Sequence, residues 1–273
     1  MMKRNAMSTA ELARNMRADA LRMVHDAKAS HIGSALSICD ITAVLYGRIM
    51  KLDPERPTWS ERDRFILSKG HACVAVYAAL AETGFITKDD LKSYGQDHSV
   101  LMNHISHKVP GVEFSTGALG HGLPFGTGKA LAARRSKQQW RTYVLLSDGE
   151  LGEGSNWEAM MFAAHHQLDN LIAIIDYNKL QSLTTVDETL RLEPLADKAR
   201  AFGWSVREVD GHDHAAIEEL LSQAPWEAGK PSFLIAHTTK GKGVTFMENS
   251  VAWHYKSPSS EQLATALEEI GHA

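Results

Sequence analysis

Residues 143–182 read YVLLSDGELGEGSNWEAMMFAAHHQLDNLIAIIDYNKLQS, and the fold class follows from them. Tyr143 to Leu146 is a short apolar run, too short for a helix and suited to a buried strand. It breaks at Ser147-Asp148-Gly149. Asn156 to Gln167 then predicts a helix with Trp157, Met160, Met161 and Ala164 on one face. A second buried strand, Leu171 to Ile175, runs into Asp176-Tyr177-Asn178. Two parallel strands joined by a helix form a βαβ unit with a right-handed crossover. Asp148-Gly149 and Asn178 therefore fall at the carboxyl ends of neighbouring strands, the edge where open α/β sheets bind ligands. A carboxylate, an amide oxygen and nearby backbone carbonyls make a hard-oxygen site suited to Mg²⁺, which commonly carries a phosphate as well. Taken singly, Asp148 also suits a helix N-cap and Asn178 a strand-end turn.

A chain of 273 residues with 44% apolar content is large enough to bury a full α/β core in one domain. Its net charge of −4 gives no reason to expect nucleic acid or an anionic membrane as partner. Cys39 and Cys73 lack metal-ligand spacing and sit in apolar surroundings, as reduced core residues do. There is no signal-peptide pattern and no run long enough to span a bilayer. A soluble, cytoplasmic protein is expected.

Ser8-Thr9-Ala10-Glu11 has the form of a capping box, followed by a helical apolar stripe from Leu12 to Ala27. A second helix is predicted over Ile38 to Ile49, a strand over Asp63 to Ser68 and a helix over Ala72 to Thr83. A short helix is expected from Glu82 to Leu91, then a long irregular stretch from Gly95 to Phe114. His98, His104 and His107 in that stretch bring no cysteine or close carboxylate, so they form no closed zinc set. Thr116 to Gly122 is glycine-rich and leads into a helix over Leu123 to Arg135; such a turn serves either a phosphate or close packing. Leu195 to Phe202 and Ala215 to Ala224 read as helices, Trp204 to Val209 as an edge strand and Pro231 to His237 as a buried one. This alternation is that of a parallel sheet flanked by helices. Lys240-Gly241-Lys242-Gly243 suits a phosphate loop or a solvated one, and Ser259 to Ile270 closes the chain as an amphipathic helix. His31 and His71 stand at element ends, where active-site groups concentrate and where ordinary surface polar groups are also common.

Asp148-Gly149 after one strand, with Asn178 30 positions on after the next, resembles the thiamine diphosphate fingerprint. With Glu150 to Gly154 included, the stretch is most similar to transketolase, Ser147 standing where a glycine is usual. Ser30-His31-Ile32-Gly33-Ser34 and Leu67 to Ala72 resemble the two histidine motifs of that family, with Ile32 in place of a common proline. His104 matches six residues before Pro110. Thr116 to Gly122 resembles the loop beside the aminopyrimidine, with His121 where many members have glutamine. The segment from Lys240 to Trp253-His254 is similar to the one that closes over cofactor and substrate. The resemblance spans about residues 8–257.

It implies an α/β, thiamine-diphosphate-binding (PP) domain over 1–273, with residues 1–7 disordered and 244–273 forming a C-terminal segment and helix. The implied cofactors are thiamine diphosphate and Mg²⁺. Asp148, Asn178 and the Leu180 carbonyl would hold the metal. Ser34, His71, Gly117, Ala118, Leu119, Gly149, Glu150, Asn178, Lys240 and His254 would contact the cofactor. The implied catalytic set is His31, His71, His104 and His254: His104 at the donor's terminal hydroxyl, His31 and His254 at the hydroxyl deprotonated on C–C cleavage and at the acceptor aldehyde, His71 near the diphosphate. The cofactor carries the carbon chemistry, and imidazoles move protons near neutral pH.

Transketolases take the glutamate that activates the aminopyrimidine from a second domain of another subunit. The chain ends at Ala273, just after the His254 segment, so the expectation is the N-terminal subunit of a split transketolase. It would be a transferase of ketol units between sugars or sugar phosphates, inactive alone. Its expected partner is a C-terminal subunit carrying the pyrimidine-binding domain, in an α₂β₂ heterotetramer. Glu153 suits that interface or a first-turn helix glutamate. The alternatives are the α subunit of a 2-oxo acid dehydrogenase complex, which has no need of four histidines around a sugar, and a non-catalytic thiamine-fold subunit, which would have lost ligands or histidines.

Overall fold

The structure, a computed structural model, describes residues 7–272. Of the segment 1–7 expected to be disordered, residues 1–6 lie outside the described residues; Met7 packs against the core and its carbonyl accepts from Arg48. In chain order the helices are α1 (Thr9–Asp26), α2 (Ile32–Leu36), α3 (Cys39–Val44), α4 (Cys73–Glu82), α5 (Gly122–Arg135), α6 (Gly154–His165), α7 (Val186–Thr189), α8 (Leu195–Ala201), α9 (His214–Ser222) and α10 (Ser260–Glu269). The strands are β1 (Arg64–Leu67), β2 (Thr142–Ser147), β3 (Leu171–Tyr177), β4 (Ser205–Asp210) and β5 (Ser232–His237). Ser8 caps α1 as its sequence suggests, its hydroxyl accepting from the Glu11 amide at 3.1 Å.

All four strand pairings are parallel, in the order β1-β2-β3-β5-β4. Alternate residues of each strand serve opposite faces. Tyr143, Leu145, Ile172, Ile174, Leu234 and Ala236 join one core with α1, α3, α4 and α9. Val144, Leu146, Ala173, Ile175, Phe233 and Ile235 join a second with α5, α6 and α8. The chain steps one way across the sheet from β1 to β4, then doubles back to β5. Right-handed crossovers put α5, α6 and α8 on one face and send α9 to the other. The reversal leaves a crevice between the carboxyl ends of β3 and β5, where such sheets take ligands.

Two expectations are corrected. No helix spans 82–91: α4 ends at Glu82, Gly84 follows with φ +87°, a conformation that favours glycine, and only a 3-10 turn at Asp90–Ser93 remains. The inner face of α6 is also displaced from the expected one. Asn156, Ala159, Met160 and Ala163 are buried, whereas Met161 is 56% exposed. Cys39 and Cys73 are free and buried, as expected. No helix among the described residues is long and apolar enough to cross a membrane.

Candidate active site

The carboxyl edge of the sheet delivers functional groups from successive strands. Past β1, Lys69 turns inward and Gly70-His71 opens a 3-10 turn into α4. Past β2 comes Asp148-Gly149, past β3 Asn178, and past β5 the Lys240 turn. His31 arrives from the opposite side, at the left-handed residue (φ 72°) before α2, its amide donating to the His254 carbonyl at 2.7 Å. These groups meet around a cavity of about 260 Å³ lined by His31, Ser34, His71, His104, Gly117, Leu119, Ser147, Asp148, Gly149, Asn178, Leu180, Gln181, Ser182, His254 and Tyr255. A larger cavity of about 410 Å³ shares Asn178 and Leu180 but none of the histidines, so the chemistry belongs to the smaller one.

Three imidazoles cluster about His31. Its ring centroid lies 5.0 Å from His71, 5.0 Å from His254 and 5.9 Å from His104. Burial, then His104 and Lys240, pushes His31 down to about 4. Burial and Lys240 push His254 down to about 3. Burial lowers His71 and His104 as well, Lys69 adding to the effect on His71. All four are therefore neutral at pH 7, each able to donate one hydrogen bond and accept another. The Lys240 ammonium lies 3.0 Å from His254 Nδ1 and can only donate, which leaves the His254 proton on Nε2. His71 Nε2 pairs with the Ser34 hydroxyl at 3.2 Å, and His31 Nδ1 with the Ser30 hydroxyl at 2.8 Å. Gly117 is needed beside this cluster, since a Cβ there would lie 3.3 Å from the His104 ring.

Burial of neutral His31 carries a sign. The unfolded imidazole takes its proton near the ordinary 6.5 and the folded one only near 4, so this group removes stability as pH falls through that window. His31→Gln is therefore expected to gain stability relative to the parent between pH 6.5 and 4, read as the difference in urea midpoint at each pH. A constant gap across that range would contradict the assignment.

Next to the imidazoles lies the oxygen set. Asp148 accepts from the amides of Gly149 at 2.7 Å and Lys179 at 2.5 Å. Asn178 donates its amide NH₂ to Asp176 at 3.0 Å, which aims its carbonyl oxygen the other way, where it accepts from the Leu180 amide at 3.0 Å. Burial, then the Asp176 charge, pushes Asp148 up to about 7. A carboxylate whose charge is that poorly compensated, facing a polar cavity with an amide and a carbonyl oxygen, is matched to a hard cation. Among the described residues no cluster of three or more His, Cys, Asp or Glu suits a metal, so any ion here relies on this mixed oxygen set.

Three of the expected cofactor contacts stand outside the cavity lining. Ala118 is exposed, with its carbonyl against the His121 ring. Glu150 is fully buried beneath the glycine loop, accepting from the Ser68 hydroxyl at 2.5 Å and the Gly120 amide at 2.9 Å. Lys240 is buried too, donating to the carbonyls of Gln181 at 2.9 Å and Leu180 at 3.3 Å. His98, His107, His121 and Glu153 are exposed. Sequence reasoning missed the fully buried Lys69–Asp176 ion pair under the floor, although an aspartate inside the apolar run of β3 was its signal. It missed Tyr255 as well, 60% exposed at the rim with its ring 4.7 Å from that of His254.

A parallel sheet whose carboxyl edge sets an oxygen donor group beside polar imidazoles defines an α/β domain with its ligand site at that edge. The family described as "Transketolase, thiamine diphosphate binding domain" matches residues 8–273, and the chain belongs to it. It is 44% identical over 250 residues to an apulose-4-phosphate transketolase subunit of Phocaeicola vulgatus, covering 92% of this chain and 89% of that one. To 6-deoxy-6-sulfo-D-fructose transketolase subunit SqwG of a Clostridium species it is 42% identical over 241 residues, covering 88% of both. The crystal structure of transketolase from Campylobacter jejuni superposes with a TM-score of 0.91 at 34% identity, covering 96% of this chain and 42% of that one. The chain thus spans about two fifths of that solved transketolase and nearly the full length of the two subunits. It is a transferase chain of transketolase type, matching the N-terminal part. The 2-oxo acid dehydrogenase reading is not favoured.

Proposed function

We propose that this chain is the cofactor-gripping subunit of a two-chain cytoplasmic transketolase, moving a two-carbon ketol unit from a ketose donor to an aldose acceptor. The observation that carries this is the meeting, on one cavity, of four neutral imidazoles and the Asp148, Asn178 and Leu180 oxygens. Asp148, Asn178 and the Leu180 carbonyl would hold Mg²⁺, and Gly149, Gly117, Leu119, Ser34 and His71 would line the bound diphosphate and ring. When bound, thiamine diphosphate supplies a nucleophilic carbon and a sink for the electrons of the cleaved C–C bond. The chain's part is orientation and proton transfer. His254, carrying its proton on Nε2, donates to a substrate oxygen; His31, neutral and 5.0 Å away, takes the proton of the hydroxyl from which the bond breaks. His104, less buried, is placed for the donor's terminal hydroxyl.

Among the described residues the lining contains no arginine or lysine, so it offers no grip for the anionic end of a sugar phosphate or sulfonate of the kind for which the relatives are named. That grip, and the glutamate that activates the aminopyrimidine, are assigned to a partner C-terminal subunit in an α₂β₂ assembly. The test is the melting temperature of the chain with Mg²⁺ and thiamine diphosphate, alone and with the partner, followed by ketol transfer from xylulose 5-phosphate. A ligand bound only by the folded state raises the midpoint. Cofactor stabilisation with activity only in the mixture is the expected result. No cofactor effect in either case would overturn the proposal, and stabilisation without ketose cleavage would overturn the substrate class alone.

A further inference from the structure

Away from the cavity, one buried carboxylate gathers four donors. Asp40, on α3, accepts from both terminal nitrogens of Arg17 at 2.9 and 2.5 Å, from His212 Nδ1 at 2.7 Å and from His214 Nε2 at 2.9 Å. Two of these partners reach onward. Arg17 Nε donates to the Lys242 carbonyl at 3.0 Å, and His212 Nε2 accepts from the Thr239 amide at 2.8 Å. Thr239 and Lys242 flank Lys240, whose ammonium ties the carbonyls of Leu180 and Gln181 to His254. The two ends of one turn are thus gripped by two residues that a single carboxylate holds.

We propose that Asp40 is a positioning residue: through His212 and Arg17 it clamps the 239–242 turn, and so sets Lys240 against the metal-ligand loop and against His254. Asp40 itself lies outside the cavity lining. The grip of His212 on Thr239 requires an acceptor at Nε2, so its proton stays on Nδ1, facing Asp40. Hydrogen bonds one step removed from a site orient it without entering it, and their loss weakens what the site holds. The proposal rests on the thiamine diphosphate reading of the cavity.

Two substitutions separate the grip from mere structure. In His212→Gln the side-chain carbonyl reaches the place of Nε2 and still accepts from Thr239. In His212→Asn the amide can still donate to Asp40 but falls short of Thr239. Both are measured in the full chain by hydrogen exchange of the Thr239 amide, by melting temperature, and by calorimetric affinity for Mg²⁺–thiamine diphosphate with the partner present. Expected are fast Thr239 exchange and cofactor affinity weakened about 10-fold or more in His212→Asn. His212→Gln, which keeps the Thr239 contact but gives up the Nδ1 donor to Asp40, should fall between the parent and His212→Asn in both, the two variants melting alike. Equal exchange and equal affinity in the two variants, or a weaker His212→Gln, would overturn the clamp. The exchange readout needs no cofactor, so it decides the clamp even if the parent binds none, a result that would count against the proposed function instead. Asp40→Asn adds a direct check where it folds, with the same loss expected as in His212→Asn.

Discussion

Asp176→Ala is expected to destabilise the chain by about 3–5 kcal/mol, because it strands a buried ammonium. Asp176 and Lys69 are both fully buried, and their ion pair is the deepest charge pair under the cavity. The carboxylate also accepts from Ser37 at 2.8 Å, from Asn178 at 3.0 Å and from Thr238. Its removal leaves the Lys69 ammonium with only the Ser34 carbonyl, at 3.1 Å. It also frees the Asn178 amide to turn its nitrogen toward the cavity. The double variant Lys69→Met/Asp176→Leu, which buries no charge, should recover much of the stability but not the cofactor response. Urea midpoints with and without Mg²⁺–thiamine diphosphate measure both effects. An Asp176→Ala chain that unfolds at the parent's urea concentration would show the pair to be energetically idle.

Asp148→Asn should move cofactor binding and stability in opposite directions. Binding of Mg²⁺–thiamine diphosphate is expected to weaken by about 100-fold or more, since in the proposed site Asp148 would be the one charged protein ligand of a hard divalent cation. The cofactor-free chain should instead gain about 1–2 kcal/mol above pH 7. In the parent, the folded carboxyl is pushed up to about 7, while the unfolded one ionises near the ordinary 3.8. The unfolded state therefore sheds its proton first, and folding loses stability as pH rises through that window. Asparagine removes the charge while keeping an oxygen for the amides of Gly149 or Lys179. Melting curves at pH 8 should cross: the variant higher without cofactor, the parent higher with it. A variant that melts lower under both conditions would mean that the carboxylate is chiefly a structural acceptor.

What could be read from the sequence follows the range of each interaction. The central βαβ unit was legible because its signals are local: strands expected over Tyr143 to Leu146 and Leu171 to Ile175 appear as Thr142–Ser147 and Leu171–Tyr177. The buried side of α6 was not, since large residues suggested it while small ones occupy it. Ala159 and Ala163 face the core, and Trp157 packs beside Phe202 at the flank. The four histidines were legible from their motifs, and the structure brings their rings together. Their neutrality depends on burial and on Lys240 and Lys69, which only the fold brings near. Lys69 with Asp176, and Asp40 with Arg17 and His212, pair residues far apart in the chain, and no local pattern announces such pairs.

The cavity also has a history in time. Its oxygen set comes from one compact unit, β2-α6-β3, with only residues 148–170 between the paired strands. The imidazoles come from residues 31, 71, 104 and 254, and β1 reaches β2 only by closing the long span 68–141. Closing longer spans costs more entropy, and such distant pairings form slowly. The oxygen set can therefore be in place while the histidine ring is still open. His254 also leaves the ribosome after all five strands have done so. All five strands are therefore made while the last imidazole of the site is still to come.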